Sequence, residues 1–297
     1  MVKTVAVNPI YRDKKSRAWE LDFLRGVAVL CMCFDHLMYD FAYCKNWFEG
    51  ARPANGFIDA VSAFAKDFYA SYYTYGFRFW AHNIFVFLFL FLVGVSCSFS
   101  RDNIKRGSLL AVVSIAFTGV TYLMKSFMQP IVFGVLHCIA LSILCVAAVD
   151  IATKKIKWLN TYLPLVLGVI ILAFAIYSGS KYNLPYLPRY KNSDAEFQAA
   201  HLLEYILGVD SADVLSIGAT YGSDWFGLFP NVGMVLLGMY WGKSMYSVRR
   251  SHFPILDRAW HKPFTFVGRH ALIFYLAHQV VMALIVGAVC LMAGYRF

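Results

Sequence analysis

The stretch Trp19–Phe41 reads WELDFLRGVAVLCMCFDHLMYDF. It is long and apolar enough to cross a bilayer, which takes about 20 residues. Yet it carries Asp22, Arg25, Asp35, His36 and Asp40. Ionisable side chains inside a spanning helix cost a few kcal/mol each, so they face protein or a water-filled cavity. At helical periodicity Asp22, Arg25, Val29, Cys33, His36 and Asp40 fall on one face. Asp35 points elsewhere. A polar stripe of this kind implies a membrane helix whose inward face has work to do.

The rest of the chain agrees with a membrane setting. Its 297 residues are 60% hydrophobic and 18% aromatic, and only 15% are charged, too apolar for an ordinary soluble domain. The expected class is an all-α polytopic membrane bundle in the cell membrane, a single domain over residues 1–297. A net charge of +10 without a basic patch on a soluble fold argues for membrane topology and against nucleic acid. Six of the seven cysteines lie in apolar runs and only Cys44 falls in a loop, so loop cysteines offer no disulfide framework. Neither CxxC spacing nor a His/Cys cluster points to a metal.

Seven spans are expected: Leu21–Phe41, Trp80–Phe99, Ser108–Phe127, Ile131–Ile151, Leu159–Tyr177, Phe226–Tyr246 and Ala271–Ala293. The last has an alternative start near Phe264, and His201–Thr220 reads as a re-entrant or interfacial helix. With the N-terminus inside, Lys and Arg crowd the inner segments (Lys3–Arg17, Arg101–Arg106, Lys154–Lys157, Lys243–Lys262), while fewer are spread through long outer loops. The positive-inside rule then places the C-terminus outside. The outer loops, about 42–79 and 178–225, are long enough to be functional. The first contains a predicted short helix, Gly56–Tyr69, and the aromatic run SYYTYGFRFW.

Among the histidines, His36 stands out because Asp40 lies one turn away on the polar face. A neutral imidazole beside a carboxylate suits a general base or nucleophile. The plainer alternative is a hydrogen bond to a neighbouring helix. His82 opens the second span at its outer end, where His36 also belongs, and His137 begins the fourth span on that side. Arg269 and His270 belong at the inner surface, with His278 and Gln279 deeper. A secondary transporter or channel using the stripe as its pathway is the competing class, opposed by an odd number of spans and no inverted repeat.

Several blocks resemble the catalytic-domain family of heparan-α-glucosaminide N-acetyltransferases, which are transmembrane acyl transferases. They are RAWELDFLRGVAVLCMCFDH, NIFVFLFLFLVGVSCSFSR, GVLHCIALS, YGSDWFGLFPNVGMVLLGMYWGK and FVGRHALIFYLAHQVV. The resemblance implies transfer of an acyl group, typically acetyl, from cytosolic acetyl-CoA to an amine or hydroxyl of a saccharide acceptor across the membrane. In the matched motifs Arg25 and Gly26 stand at the family's Arg-Gly, and Gly94 at its second-helix glycine. His137 stands at its Leu-His pair, and Arg269 with His270 at the closing motif. Animal members carry Asn in place of His36 and a catalytic His in the first outer loop, where the first histidine here is His82. The catalytic candidates are therefore His36 and His82, with Asp40 and Asp35. Arg25, Arg101, Arg106, His137, Arg269 and His270 are the candidates for acyl-CoA. Asn83, Trp225, Asn231 and His278 are those for the acceptor. The lipid bilayer is the expected surrounding, and a homodimer the expected assembly.

Overall fold

The computed structural model describes residues 18–50, 53–72, 74–124, 130–182 (side chains to 177), 206–208, 225–248 and 250–297. It is all helical, without a named strand among these residues. The helices are α1 (Trp19–Tyr43), α2 (Gly56–Ala70), α3 (Phe77–Phe99), α4 (Asn103–Leu123), α5 (Val135–Thr153), α6 (Lys157–Tyr182), α7 (Leu228–Met245), α8 (Lys262–Arg269) and α9 (Ala271–Met292). The expected helix at His201–Thr220 lies outside the described residues except for 206–208.

Five helices are long and apolar enough to cross a membrane: α3, α4, α5, α6 and α9. Seven were expected. The two others, α1 and α7, are 25 and 18 residues long, but α1 is loaded with charge and α7 carries Asn231 and Lys243 in a short stretch. The third span starts five residues before its expected position because the Asp102 carboxylate caps it, accepting from the Lys105 amide at 2.8 Å. The last span does not extend back to Phe264. A separate helix, α8, ends at Arg269, and His270 breaks the chain before α9.

Two compact units make up the chain, and their division falls within α3, after His82. In the first, α8 crosses α1 with almost no space between backbones. A Cβ at Gly26 would lie 2.0 Å from the Phe264 carbonyl oxygen, and one at Gly268 would lie 1.8 Å from that of Asp22. Helices in lipid gain their packing from such close approach, because the hydrophobic effect does not separate lipid from leucine. Beside this crossing the Trp19 indole stacks on His261 at 4.2 Å and donates to the Phe253 carbonyl at 3.1 Å. The face of α1 that the sequence marks as polar is the face it buries: Asp22, Val29, Cys33 and Asp40 are all buried.

The second unit has an apolar core from α3, α5 and α7, including Leu90, Ile139, Val146, Val235 and Met239. Here too glycines permit contact, since a Cβ at Gly94 would lie 1.9 Å from the Val235 carbonyl oxygen. One polar knot ties three helices. Lys243 of α7 donates to Asp150 of α5 at 2.6 Å and to the Asn160 side chain of α6 at 2.7 Å. Asn160 in turn donates to Asp150 at 3.0 Å.

Candidate active site

Three sets of polar groups follow α1 through the first unit. At its start Asp22 is held by two arginines. Arg25, one turn on, approaches Oδ1 at 3.0 Å, and Arg269, at the end of α8, donates from Nε to Oδ2 at 3.1 Å. One carboxylate shared by two guanidiniums leaves a net positive charge. Arg269 keeps 45% of its side chain exposed, so this fork can meet an anion. His270 is exposed beside it, its Nδ1 donating to the Phe266 carbonyl at 2.9 Å.

Fourteen residues beyond Asp22, α1 meets α9 in a half-buried polar cluster around the buried Asp40. His36 and His278 pack edge to face, with ring centroids 4.8 Å apart. Each ring is oriented from its own helix. His36 Nδ1 donates to the Met32 carbonyl at 3.0 Å, and His278 Nδ1 to the Tyr275 carbonyl at 2.6 Å. A carbonyl only accepts, so in the neutral rings both hydrogens sit on Nδ1 and both Nε2 atoms present lone pairs. Next to them the Gln279 amide donates to Asp40 Oδ1 at 2.9 Å. Three buried atoms of the cluster have no hydrogen-bond partner: Asp40 Oδ2, His278 Nε2 and Gln279 Oε1. All three are acceptors. Leaving such atoms dry costs about 1–3 kcal/mol apiece, so the cluster lacks a donor-rich partner.

Asp35, on the opposite side of α1, belongs to a different arrangement. Arg78 at the start of α3 grips it with two bonds, Nε at 2.6 Å and a terminal nitrogen at 2.8 Å. The guanidinium lies over the Tyr69 ring at 3.6 Å and near that of Tyr72 at 4.9 Å. His82 sits one turn after Arg78, edge-on to Tyr72 at 5.6 Å, and within electrostatic reach of Asp35, Arg78 and His36. His82 thus stands beside the Asp35–Arg78 pair, while His36 packs on His278. Asp35 is not a free carboxylate; it anchors the start of α3.

Other sequence candidates lie in the second unit. His137 has both nitrogens in use: the Gly134 amide donates to Nδ1 at 3.3 Å, so Nε2 carries the hydrogen and donates to Thr118 Oγ1 at 3.0 Å. Thr118 passes its own hydrogen to the Ile131 carbonyl at 2.7 Å. His137 therefore fastens the start of α5 to α4. Asn231 is buried and donates to the Gly227 carbonyl at 2.8 Å, securing the first turn of α7. Trp225 bridges to Gly134 and packs with Phe133 and Ile206. Arg106 is exposed and donates to the Ser96 carbonyl at 3.2 Å; Arg101 is exposed just past α3, and Asn83 is half-buried.

Gln279 and Arg78 were not singled out by the sequence as site residues. Gln279 is placed deep in the last span by the sequence, but its bond to Asp40 gives it a role only once the two helices are seen together. Arg78 counts in the sequence only as an outer-loop charge. Among the described residues no group of three or more His, Cys, Asp or Glu side chains is placed to hold a metal ion.

A membrane-embedded helical bundle with a half-buried His–Asp–Gln cluster is the class these features define. The heparan-alpha-glucosaminide N-acetyltransferase catalytic-domain family matches residues 17–68 and 63–280, and the chain belongs to that family. No curated protein and no solved structure matches it.

Proposed function

We propose that the protein transfers an acyl group, in the first instance acetyl, from cytosolic acyl-CoA to a primary amine of an amino sugar on the extracytoplasmic side. Seven spans with the N-terminus inside underlie this reading, α1 and α7 joining the five apolar helices. The phosphates of CoA then meet Arg25, Arg269 and His270 at the inner mouth.

The observation that carries the proposal is the acceptor-only cluster at His36, Asp40, His278 and Gln279. An amine bound there supplies the missing hydrogens. A hydroxyl, with one hydrogen and two lone pairs, matches it less well. As the amine nitrogen attacks the thioester carbonyl and the thiolate departs, the proton released from nitrogen needs a base. The lone pairs on His36 and His278 Nε2 suit that role by position. Asp40, fixed by Gln279, stabilises the imidazolium that results. His82, reached by the same charges, is the second candidate base.

The test is incubation of detergent-purified protein with radiolabelled acetyl-CoA and a hexosamine, alongside His36→Ala and His82→Ala. Label transferred to the amine, and lost on His36→Ala, supports the proposal. Absence of both CoA binding and CoA turnover removes it. A reporter at the C-terminus checks the seven-span arrangement separately.

A further inference from the structure

Six of the seven cysteines lie within or beside apolar helices, and all seven side chains are thiols in this structure. Cys44 and Cys290 differ from the rest. Cys44 opens the short turn that follows α1, Cys44–Trp47. Cys290 lies in the last turn of α9. Both are completely buried in one cluster with Phe48, Ile58, Val286 and Tyr295.

The surrounding chain holds them there. The Gly50 amide donates to the Arg296 carbonyl at 3.1 Å, and the Tyr295 amide to the Cys290 carbonyl at 3.1 Å. The Phe48 ring packs on Tyr295 at 5.5 Å and on Phe297 at 4.9 Å. Two thiols held in one buried cluster can be joined by a disulfide. In the seven-span arrangement both belong to the extracytoplasmic end, where thiols meet an oxidising environment.

We propose that Cys44 and Cys290 form a disulfide that staples the end of α9 to the end of α1. The oxidant is an extracytoplasmic disulfide-bearing protein, acting before the segment packs. One cysteine thiolate attacks a sulfur of the oxidant's disulfide, giving a mixed disulfide and releasing one oxidant thiol. The second cysteine then displaces the other oxidant thiol, so the oxidant leaves as a dithiol carrying both electrons and both protons. The bond closes a very long loop and constrains the unfolded chain accordingly.

The inference rests on the membrane orientation above but not on acyl transfer, so the CoA assay and this test fail independently. Membranes are denatured in a light maleimide without reductant, then reduced and treated with a heavy maleimide. Heavy label on Cys44 and Cys290 alone, with a cross-linked peptide joining them before reduction, is expected. Light label on all seven cysteines overturns the proposal. In Cys44→Ser, Cys290 should move to the light label; heavy label persisting there would show a different partner and overturn it equally.

Discussion

The side-chain amide of Gln279 donates to Asp40 at 2.9 Å, linking a carboxylate of α1 to the one neutral donor that α9 offers it. Asp40 is 1% exposed, and its other oxygen already lacks a partner. Gln279→Leu removes the remaining donor and leaves the carboxylate dry, at a cost of about 1–3 kcal/mol or more for a charged group. A thermal shift assay should show the loss. Asp40→Asn in the same background should restore part of it, because the uncharged amide is cheaper to bury.

His36 and His278 should separate by kinetics. Loss of a general base lowers rate by about 10²–10⁴-fold, so His36→Ala should fall in that range with CoA binding unchanged. His278→Ala should lower turnover and also weaken binding of the amine, which loses one of its acceptors. Equilibrium CoA binding measured beside turnover decides both cases.

The Asp35–Arg78 pair is buried and doubly hydrogen-bonded, with side chains 18% and 6% exposed. Removing one partner strands the other charge, typically at about 3–5 kcal/mol. Asp35→Ala should therefore destabilise strongly, whereas Asp35→Leu combined with Arg78→Leu should cost much less. Arg78→Lys should not substitute, since an ammonium provides neither the two-pronged grip nor the flat face that lies over Tyr69. Denaturation curves of the single and double variants provide the cycle.

Outside the membrane-spanning helices, Lys45 and Asp59 form an ion pair. Hydrogen bonding to Lys45 holds the Asp59 carboxyl below its usual range, and Asp59 in turn raises Lys45. A lowered acid stabilises the fold above its unfolded pKa and loses that contribution as pH falls through its folded value. A raised base stabilises below its unfolded pKa and loses it as pH climbs through its folded value. The pair is thus fully effective between about pH 4 and pH 10. Both groups are largely solvated, so Lys45→Met should shift the melting temperature little, and the shift should shrink further in high salt.

Gly26→Ala places a methyl group 2.0 Å from the Phe264 carbonyl oxygen, a backbone atom that cannot step aside alone. The expected result is a loss of folded protein or of CoA binding comparable to that of Arg269→Ala. Size-exclusion recovery and CoA binding report it.

Much of this was legible in the polar stripe of Trp19–Phe41. Periodicity alone identifies the buried face of α1, because apolar and ionisable residues are forced to opposite sides in lipid. The last span begins at Ala271 as expected, and the short helix in the first loop, observed as Gly56–Ala70, was expected at Gly56–Tyr69. What periodicity cannot show is pairing between distant helices. Asp35 points away from the polar face in the sequence already, but its partner Arg78 lies 43 residues on and is not predicted by it. The hydrogen bonds of His137 with Gly134 and Thr118 likewise cannot be read from its sequence neighbours. Cys44 and Cys290 lie far apart in sequence, and nothing local to either predicts the other.

The pairings Asp22–Arg269, His36–His278 and Cys44–Cys290 come in the same order from α1 into the turn after it and from the end of α8 along α9. Past the α1–α8 crossing, two matched series of this kind behave as a ruler. Fifteen residues from Arg25 to Asp40 amount to about 22 Å of rise. Inserting a single residue between them would turn everything beyond it by about 100°. The histidine and cysteine matches would come undone together while the arginine fork stayed whole. The spacing between the arginine fork and the histidine cluster is therefore carried by residue count, and length in this helix is as strictly constrained as chemistry.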